Sequence, residues 1–216
     1  MLDTPTLAAQ LRQPHGDAAL AVADSMNRSN GELNKAAISL LAVLPGEHVL
    51  EIGPGNAAFA PLLLKAPGSR YLGIELSPEM VRAGNARLAD AGLAERAALQ
   101  LGDANALALE DACVDAVLAV NISYFWPSLP PVLGELARVL RPGGRLCLAF
   151  GDPAFMRTLA FSAHDFHLYT REDFEHALHS TGQFARPAWH SHQETGISND
   201  GRQVQKHFHI LLAQRE

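Results

Sequence analysis

Between His48 and Phe59 the chain reads His-Val-Leu-Glu-Ile-Gly-Pro-Gly-Asn-Ala-Ala-Phe, an apolar run followed by two glycines around a proline and then a small-residue segment with helical spacing. Few folds accommodate that order. A strand that ends in a glycine turn and hands over to a helix belongs to a βαβ unit, because parallel strands need a crossover long enough to hold a helix. The same alternation continues downstream. Strand-like runs cover His48–Gly53, Arg70–Leu76, Ala97–Asp103, Val114–Asn121 and Gly144–Phe150, and helical spacing covers Ala57–Lys65, Pro78–Ala91 and Ser128–Leu140. This pattern predicts an α/β fold, a mostly parallel sheet with right-handed crossovers and helices on both faces.

Local signals agree. Ser77-Pro78-Glu79-Met80 offers a helix N-cap with proline at the first helical position, and Thr170-Arg171-Glu172-Asp173 offers an N-cap followed by acids. Before the first strand, Thr6–Leu44 reads as two or three helices with a break at Gln13-Pro14-His15-Gly16. After Phe150 the rhythm changes. A mixed segment, Asp152–Tyr169, leads to a short helix near Arg171–Ser180 and two strand candidates, Ala185–Glu194 and Gln203–Gln214, joined by the turn-rich stretch from Thr195 to Gly201. So short a link requires the two strands to pair antiparallel.

Length and charge narrow the partners. With 216 residues the chain is read as one domain spanning 1–216, of which 1–46 are leader helices, 47–150 a ligand-binding core and 151–216 a variable segment with the C-terminal strands. A formal net charge of −6 lacks the basic excess of a protein that tracks a phosphate backbone, so nucleic acid is not an expected partner. Cys113 and Cys147 lie in or beside apolar runs and read as core thiols, which suits a reducing cytoplasm. The N-terminus has no basic head before an apolar stretch and no run of about 18 apolar residues occurs, so neither secretion nor membrane spanning is expected.

A parallel sheet binds its ligand beyond the carboxyl ends of the strands, and a glycine turn there lets ligand atoms approach the backbone. Gly53 and Gly55 provide that approach. The pattern Gly53-x-Gly55-x-x-Ala58, with Glu75 about 20 residues on, also satisfies a dinucleotide fingerprint in which the acid holds ribose hydroxyls. Two further acids separate the readings. Glu51 places a carboxylate at the end of the first strand, where it suits a sulfonium or ammonium and repels a pyrophosphate. Asp103 places another at the end of the third, where it can accept a hydrogen bond from an adenine amino group. Leu136–Arg145 then closes a helix at a proline-glycine turn leading into the fifth strand.

In this ensemble, over about two-thirds of the chain from Val49 to Phe150, the sequence resembles the class I S-adenosylmethionine-dependent methyltransferases, in particular small bacterial, type-11-like members. The resemblance implies a Rossmann-like three-layer sandwich with a seven-stranded sheet of order 3-2-1-4-5-7-6, the last strand antiparallel. It further implies a cofactor site of Glu51, Gly53, Pro54, Gly55 and Asn56, the ribose acid Glu75 with Leu76 and Met80, the adenine contact at Asp103 and Ala104, and Asn121 with Ile122 beside the transferring methyl. Gln10–Gly16, with Met26, Asn27 and Asn30, is similar to the leader helices of such enzymes. One departure is Ala57, where the family loop often carries a third glycine.

Methyl transfer from a sulfonium is an in-line displacement on an activated donor, so alignment and exclusion of water supply much of the acceleration and a base is needed only for a protonated nucleophile. Tyr124, three residues beyond Asn121, and His167 are the candidate catalytic residues, with His164 and His15 behind them. The mixed segment Asp152–Tyr169 reads either as an acceptor wall or as core packing. His190 and His192 alternate on one predicted strand and His207 and His209 on its partner, a ligand-like spacing, but no cysteine or acid cluster joins them and no metal is expected. The expected activity is methyl transfer from S-adenosyl-L-methionine, leaving S-adenosyl-L-homocysteine, to a small-molecule acceptor by a cytoplasmic monomer or homodimer. An NAD-dependent oxidoreductase and a non-catalytic cofactor-binding protein are the alternatives. The two prolines of nucleic-acid base methyltransferases are missing from Asn121-Ile-Ser-Tyr124.

Overall fold

The computed structural model describes residues 2–197 and 203–216. Seven strands, β1 (His48–Ile52), β2 (Arg70–Glu75), β3 (Ala97–Leu101), β4 (Val114–Val120), β5 (Leu140–Gly151), β6 (Ala188–Ile197) and β7 (Gln203–Gln214), form one sheet of order β3-β2-β1-β4-β5-β7-β6. Six run in one direction, β1 to β5 pairing parallel, and β7 alone is reversed, antiparallel to both β5 and β6. The order and sense implied by the resemblance are those observed.

Both faces of the central strands are buried, which is why β1 and β4 read as continuous apolar runs and not as alternating ones. On one face Leu50, Ile52 and Val117 pack under α6 (Leu129–Val139) and α8 (Arg171–Thr181), while Val49, Leu118 and Cys147 on the other pack under α3 (Gly31–Leu41) and α4 (Ala60–Leu63). The leader contributes α1 (Thr4–Arg12), α2 (Ala19–Ser29) and α3, with the expected break between the first two. Ser77 caps α5 (Pro78–Asp90) by accepting from the Met80 amide, and Thr170 and Asp173 form a reciprocal capping box on α8. Cys113 and Cys147 are free thiols.

Four elements differ from the sequence reading. The helix expected over Ala57–Lys65 shrinks to Ala60–Leu63, because Ala57 takes a left-handed backbone at φ 54° and prolongs the loop. β5 begins at Leu140, before the Pro142-Gly143-Gly144 turn. Leu140 pairs with Val114, and a register shift absorbs the turn before Arg145 pairs with Ala116. β6 starts at Ala188, past Pro187, whose missing amide cannot join a ladder, and extends to Ile197. The centre of the turn expected between Thr195 and Gly201 lies outside the described residues. Within Asp152–Tyr169 only Pro153–Met156 (α7) and a 3₁₀ turn at Ala160–Ala163 are helical.

The β6–β7 register also places the four histidines. His190 stands opposite Ile210 and His192 opposite Phe208, whereas His207 and His209 stand opposite Gln193 and Ser191. Opposed residues share a face, so the two pairs point to opposite sides of the sheet. Among the described residues no group of three or more His, Cys, Asp or Glu side chains is placed to hold a metal ion.

Candidate active site

Beyond the carboxyl ends of β1, β2, β3 and β4 lies a cavity of about 250 Å³. Its floor is built by the glycine turn. Gly53 donates its amide to Ile74 O at 2.9 Å and adopts φ 66°; a Cβ there would stand 2.5 Å from Ile122 Cγ2, so only glycine lets the loop and the β4 end close together. Gly55 adopts φ 57° with open space where its Cβ would be. Left-handed backbone explains the glycine at both places, and crowding adds to it at the first.

Glu75, at the end of β2, is buried and ties the turn to the sheet: Oε2 accepts from the Gly55 amide at 3.0 Å and Oε1 from the Ser77 amide at 2.9 Å. Burial raises its pKa, and those amides partly offset the rise. Asp103 is exposed; its Oδ1 accepts from the amide and side chain of Asn105, at 2.9 and 2.7 Å. Glu51 is buried at the cavity edge and accepts from Tyr71 Oη at 2.7 Å; burial, with the neighbouring charge of Glu75, pushes its pKa up to about 7. Leu76, Ala104, Asn121 and Ile122 line the same cavity. Among the described residues, the three carboxylates face a single lining cation, Arg12 of α1.

Two residues of the expected cofactor set stand back from the cavity. Asn56 is buried, and its Oδ1 accepts from Asn27 Nδ2 of α2 at 3.0 Å, which joins the loop to the leader. Met80 is fully buried against Ala19 and Ala23 and docks α2 on α5. The candidate catalytic residues also stand outside the lining. Tyr124 is buried; its hydroxyl donates to Asn121 Oδ1 at 3.0 Å and accepts from the Gly151 amide, and burial drives its phenol well above the usual range. It fixes Asn121, whose backbone is left-handed at φ 56°. His167 is exposed, its ring stacked on Tyr169, and only its amide reaches inward, to Tyr124 O at 2.8 Å. His15 is held through its backbone by Gln10, and neither it nor His164 lines the cavity.

The remaining wall comes from the leader and the stretch after β4. Leu11, Arg12, Pro14, Met26, Asn27, Asn30 and Asn34 face Phe59, Phe125, Trp126 and Pro127. None of Asp152–Tyr169 contributes: Phe161 packs on Phe166, which stacks on Tyr124, so that segment is core packing. Leader positions 12, 14, 26, 27 and 30 stood within the sequence signature, but nothing local showed that they turn toward the strand ends. The contact is tertiary. Gln13 Nε2 donates to Leu76 O at 2.9 Å, and Ser77 Oγ donates to Pro14 O.

The donor set fits an adenosyl cation better than a dinucleotide, since three carboxylates around a glycine cradle would repel a pyrophosphate. Together with the antiparallel last hairpin, it defines a Rossmann-like methyltransferase architecture. The comparisons agree. The model of a family described as a methyltransferase domain matches residues 50–148. Demethylmenaquinone methyltransferase of Symbiobacterium thermophilum is 33% identical over 120 residues, covering 54% of this chain and 47% of that protein. Protein-L-isoaspartate O-methyltransferase of Methylorubrum populi is 32% identical over 162 residues, covering 75% of this chain and 72% of that protein. Geranyl diphosphate methyltransferase in complex with S-adenosylmethionine superposes with a TM-score of 0.72 at 17% identity over 96% of this chain and 94% of that one, a likeness of fold. The chain belongs to the class I S-adenosylmethionine-dependent methyltransferases. It spans about half the length of several of the curated relatives it matches.

Proposed function

We propose that this protein transfers the methyl group of S-adenosylmethionine to a small-molecule acceptor bound between the strand ends and the leader helices. The cofactor, when bound, supplies the activated methyl. The chain's own residues bind, orient and shield it: Glu75 is placed to receive ribose hydroxyls, Asp103 has a free oxygen for an adenine amino group, and Glu51 offers a carboxylate for the cationic arm. Asn121, held by Tyr124, faces the cavity at the β4 end.

The carrying observation is that one cavity is walled on one side by the glycine turn and strand-end carboxylates and on the other by the leader helices with Phe125 and Trp126. A mostly apolar wall carrying a few amides suits a small molecule that is buried when bound. No helix among the described residues is long and apolar enough to cross a membrane.

Calorimetry with S-adenosylmethionine and with NAD tests the cofactor, and incubation with methyl-labelled cofactor and a metabolite extract, followed by mass identification, tests the transfer. Heat from S-adenosylmethionine alone and one labelled small product are expected. Micromolar NAD binding without S-adenosylmethionine binding would sink the reading; cofactor binding with no labelled product would leave a non-catalytic binding protein.

A further inference from the structure

Glu51 is a carboxylate in an enclosed place with one hydrogen-bond donor, the hydroxyl of Tyr71 at 2.7 Å, and no ion pair among the described residues. The sheet makes room for that contact. Glu51 stands in register with Gly73 on β2, and a Cβ on Gly73 would lie 2.8 Å from Pro54 Cγ and 3.0 Å from Tyr71 Oη. The missing side chain therefore leaves a slot in which the phenol reaches past β2 to the carboxylate under the glycine loop. Tyr71 is itself buried and does not line the cavity, whereas Glu51 does.

We propose that Tyr71 is a positioning residue of the cofactor site: its hydroxyl favours the charged form of the Glu51 carboxylate and aims it at the cationic amino group of the cofactor's aminoacyl arm. The proposal rests on the cofactor reading above. A buried carboxylate needs either a cation or a strong donor to stay charged. Among the described residues no cation pairs with Glu51, Arg12 standing across the cavity without an ion pair to it. From β2 it meets Tyr71 and Glu75; across the cavity stand Asp103 and Arg12; on β4 the nearest acid, Asp115, lies at the far end of the strand, bonded to Arg141; the Glu32–Lys35 pair of α3 is exposed and self-paired, and α4 has no titratable residue. A cationic ligand completes the set. When it binds, the proton carried by the fraction of Glu51 that is neutral leaves to solvent, so affinity rises with pH until Glu51 is fully ionised in the free protein.

The test uses the full chain with two probes: S-adenosylhomocysteine, which carries the amino group, and methylthioadenosine, which lacks the whole aminoacyl arm. In wild type, calorimetry in buffers of different ionisation enthalpy should show proton release with S-adenosylhomocysteine near neutral pH and none with methylthioadenosine. Tyr71→Phe removes a donor that favours the charged form, so the pH at which S-adenosylhomocysteine affinity levels off should move up, and affinity at pH 7 should fall about tenfold, with methylthioadenosine unchanged. Glu51→Gln should bind S-adenosylhomocysteine weakly with no pH slope. Equal weakening of both probes in Tyr71→Phe, or an unmoved pH profile, overturns the proposal and makes Tyr71 merely structural. If neither probe binds wild type, the cofactor reading itself fails.

Discussion

The two walls of the cavity are built differently. The cofactor wall is made by residues at strand ends or in the turn directly after a strand, Glu51 to Gly55, Glu75 and Asp103, each placed by the backbone that carries it. The opposite wall is assembled from leader residues of α1 to α3 with Phe125, Trp126 and Pro127, and its α1–α2 part is attached by side-chain bonds across long chain separations, Gln13 to Leu76, Ser77 to Pro14 and Asn27 to Asn56. The first is part of the sheet; the second is a cover laid on it. Parallel strands buried on both faces cannot shift without breaking the core, whereas a cover held by a few bonds can change residue by residue and admit a different acceptor.

Several substitutions would break or sharpen that contrast, and the largest effect belongs to Glu75. Glu75→Ala removes the proposed acceptor of ribose hydroxyls and should cost on the order of 2–4 kcal/mol of cofactor affinity. It also strands the Gly55 and Ser77 amides, so thermal stability should fall as well, by roughly 1–3 kcal/mol. Calorimetry with S-adenosylhomocysteine and a melting curve read the two separately; unchanged affinity would remove Glu75 from the site.

Glu51→Gln should act in the opposite sense on stability. Below about pH 4.5 the carboxyl is neutral folded and unfolded and contributes nothing; from there to about 7 the unfolded chain ionises while the folded one keeps its proton, so stability declines with pH and the full penalty persists above. The glutamine variant of the cofactor-free protein should therefore be more stable at pH 8 by roughly 3 kcal/mol and unaltered at pH 4. Urea unfolding at the two pH values decides it, and a uniform gain at both would point to packing.

Phe161→Ala should cost about 1–2 kcal/mol of stability, since it leaves a gap beside Phe166, with no direct effect on acceptor KM. On the cover itself, Asn30→Ala should raise acceptor KM by up to about tenfold, roughly 1 kcal/mol, while cofactor affinity holds. Parallel loss of both affinities would show that the cover and the sheet act as one wall.

The smallest effect is expected at Ala57. Its left-handed backbone costs about 1 kcal/mol, which glycine would relieve, but glycine frees the unfolded chain and deletes a buried methyl. Ala57→Gly should stay within about 0.5 kcal/mol of wild type by urea unfolding.

The strand runs, the Gly53-Pro54-Gly55 turn and the strand-end acids were legible in the sequence, because period-2 and period-3.6 patterns and glycine turns are local consequences of backbone geometry. Sequence spacing likewise carried the sheet order, through the resemblance it supports. Other features needed the folded chain. Tyr124 follows Asn121 by three residues and is a catalytic candidate by sequence, yet a 3₁₀ turn rotates its ring into the core, where its hydroxyl fixes Asn121. His167 and Phe161 carry the right chemistry in a segment that packs away from the cavity, while Arg12, Asn30 and Trp126 reach it from elements whose docking no local pattern encodes. Whether His190 and His207 share a face depended on a cross-strand register, which a one-residue slip would invert. The sequence by itself determined the wall whose residues sit at the ends of the strands they belong to; tertiary structure decided the wall whose residues meet only after distant helices have packed, since that choice depends on side-chain packing across the chain and not on any repeat within it.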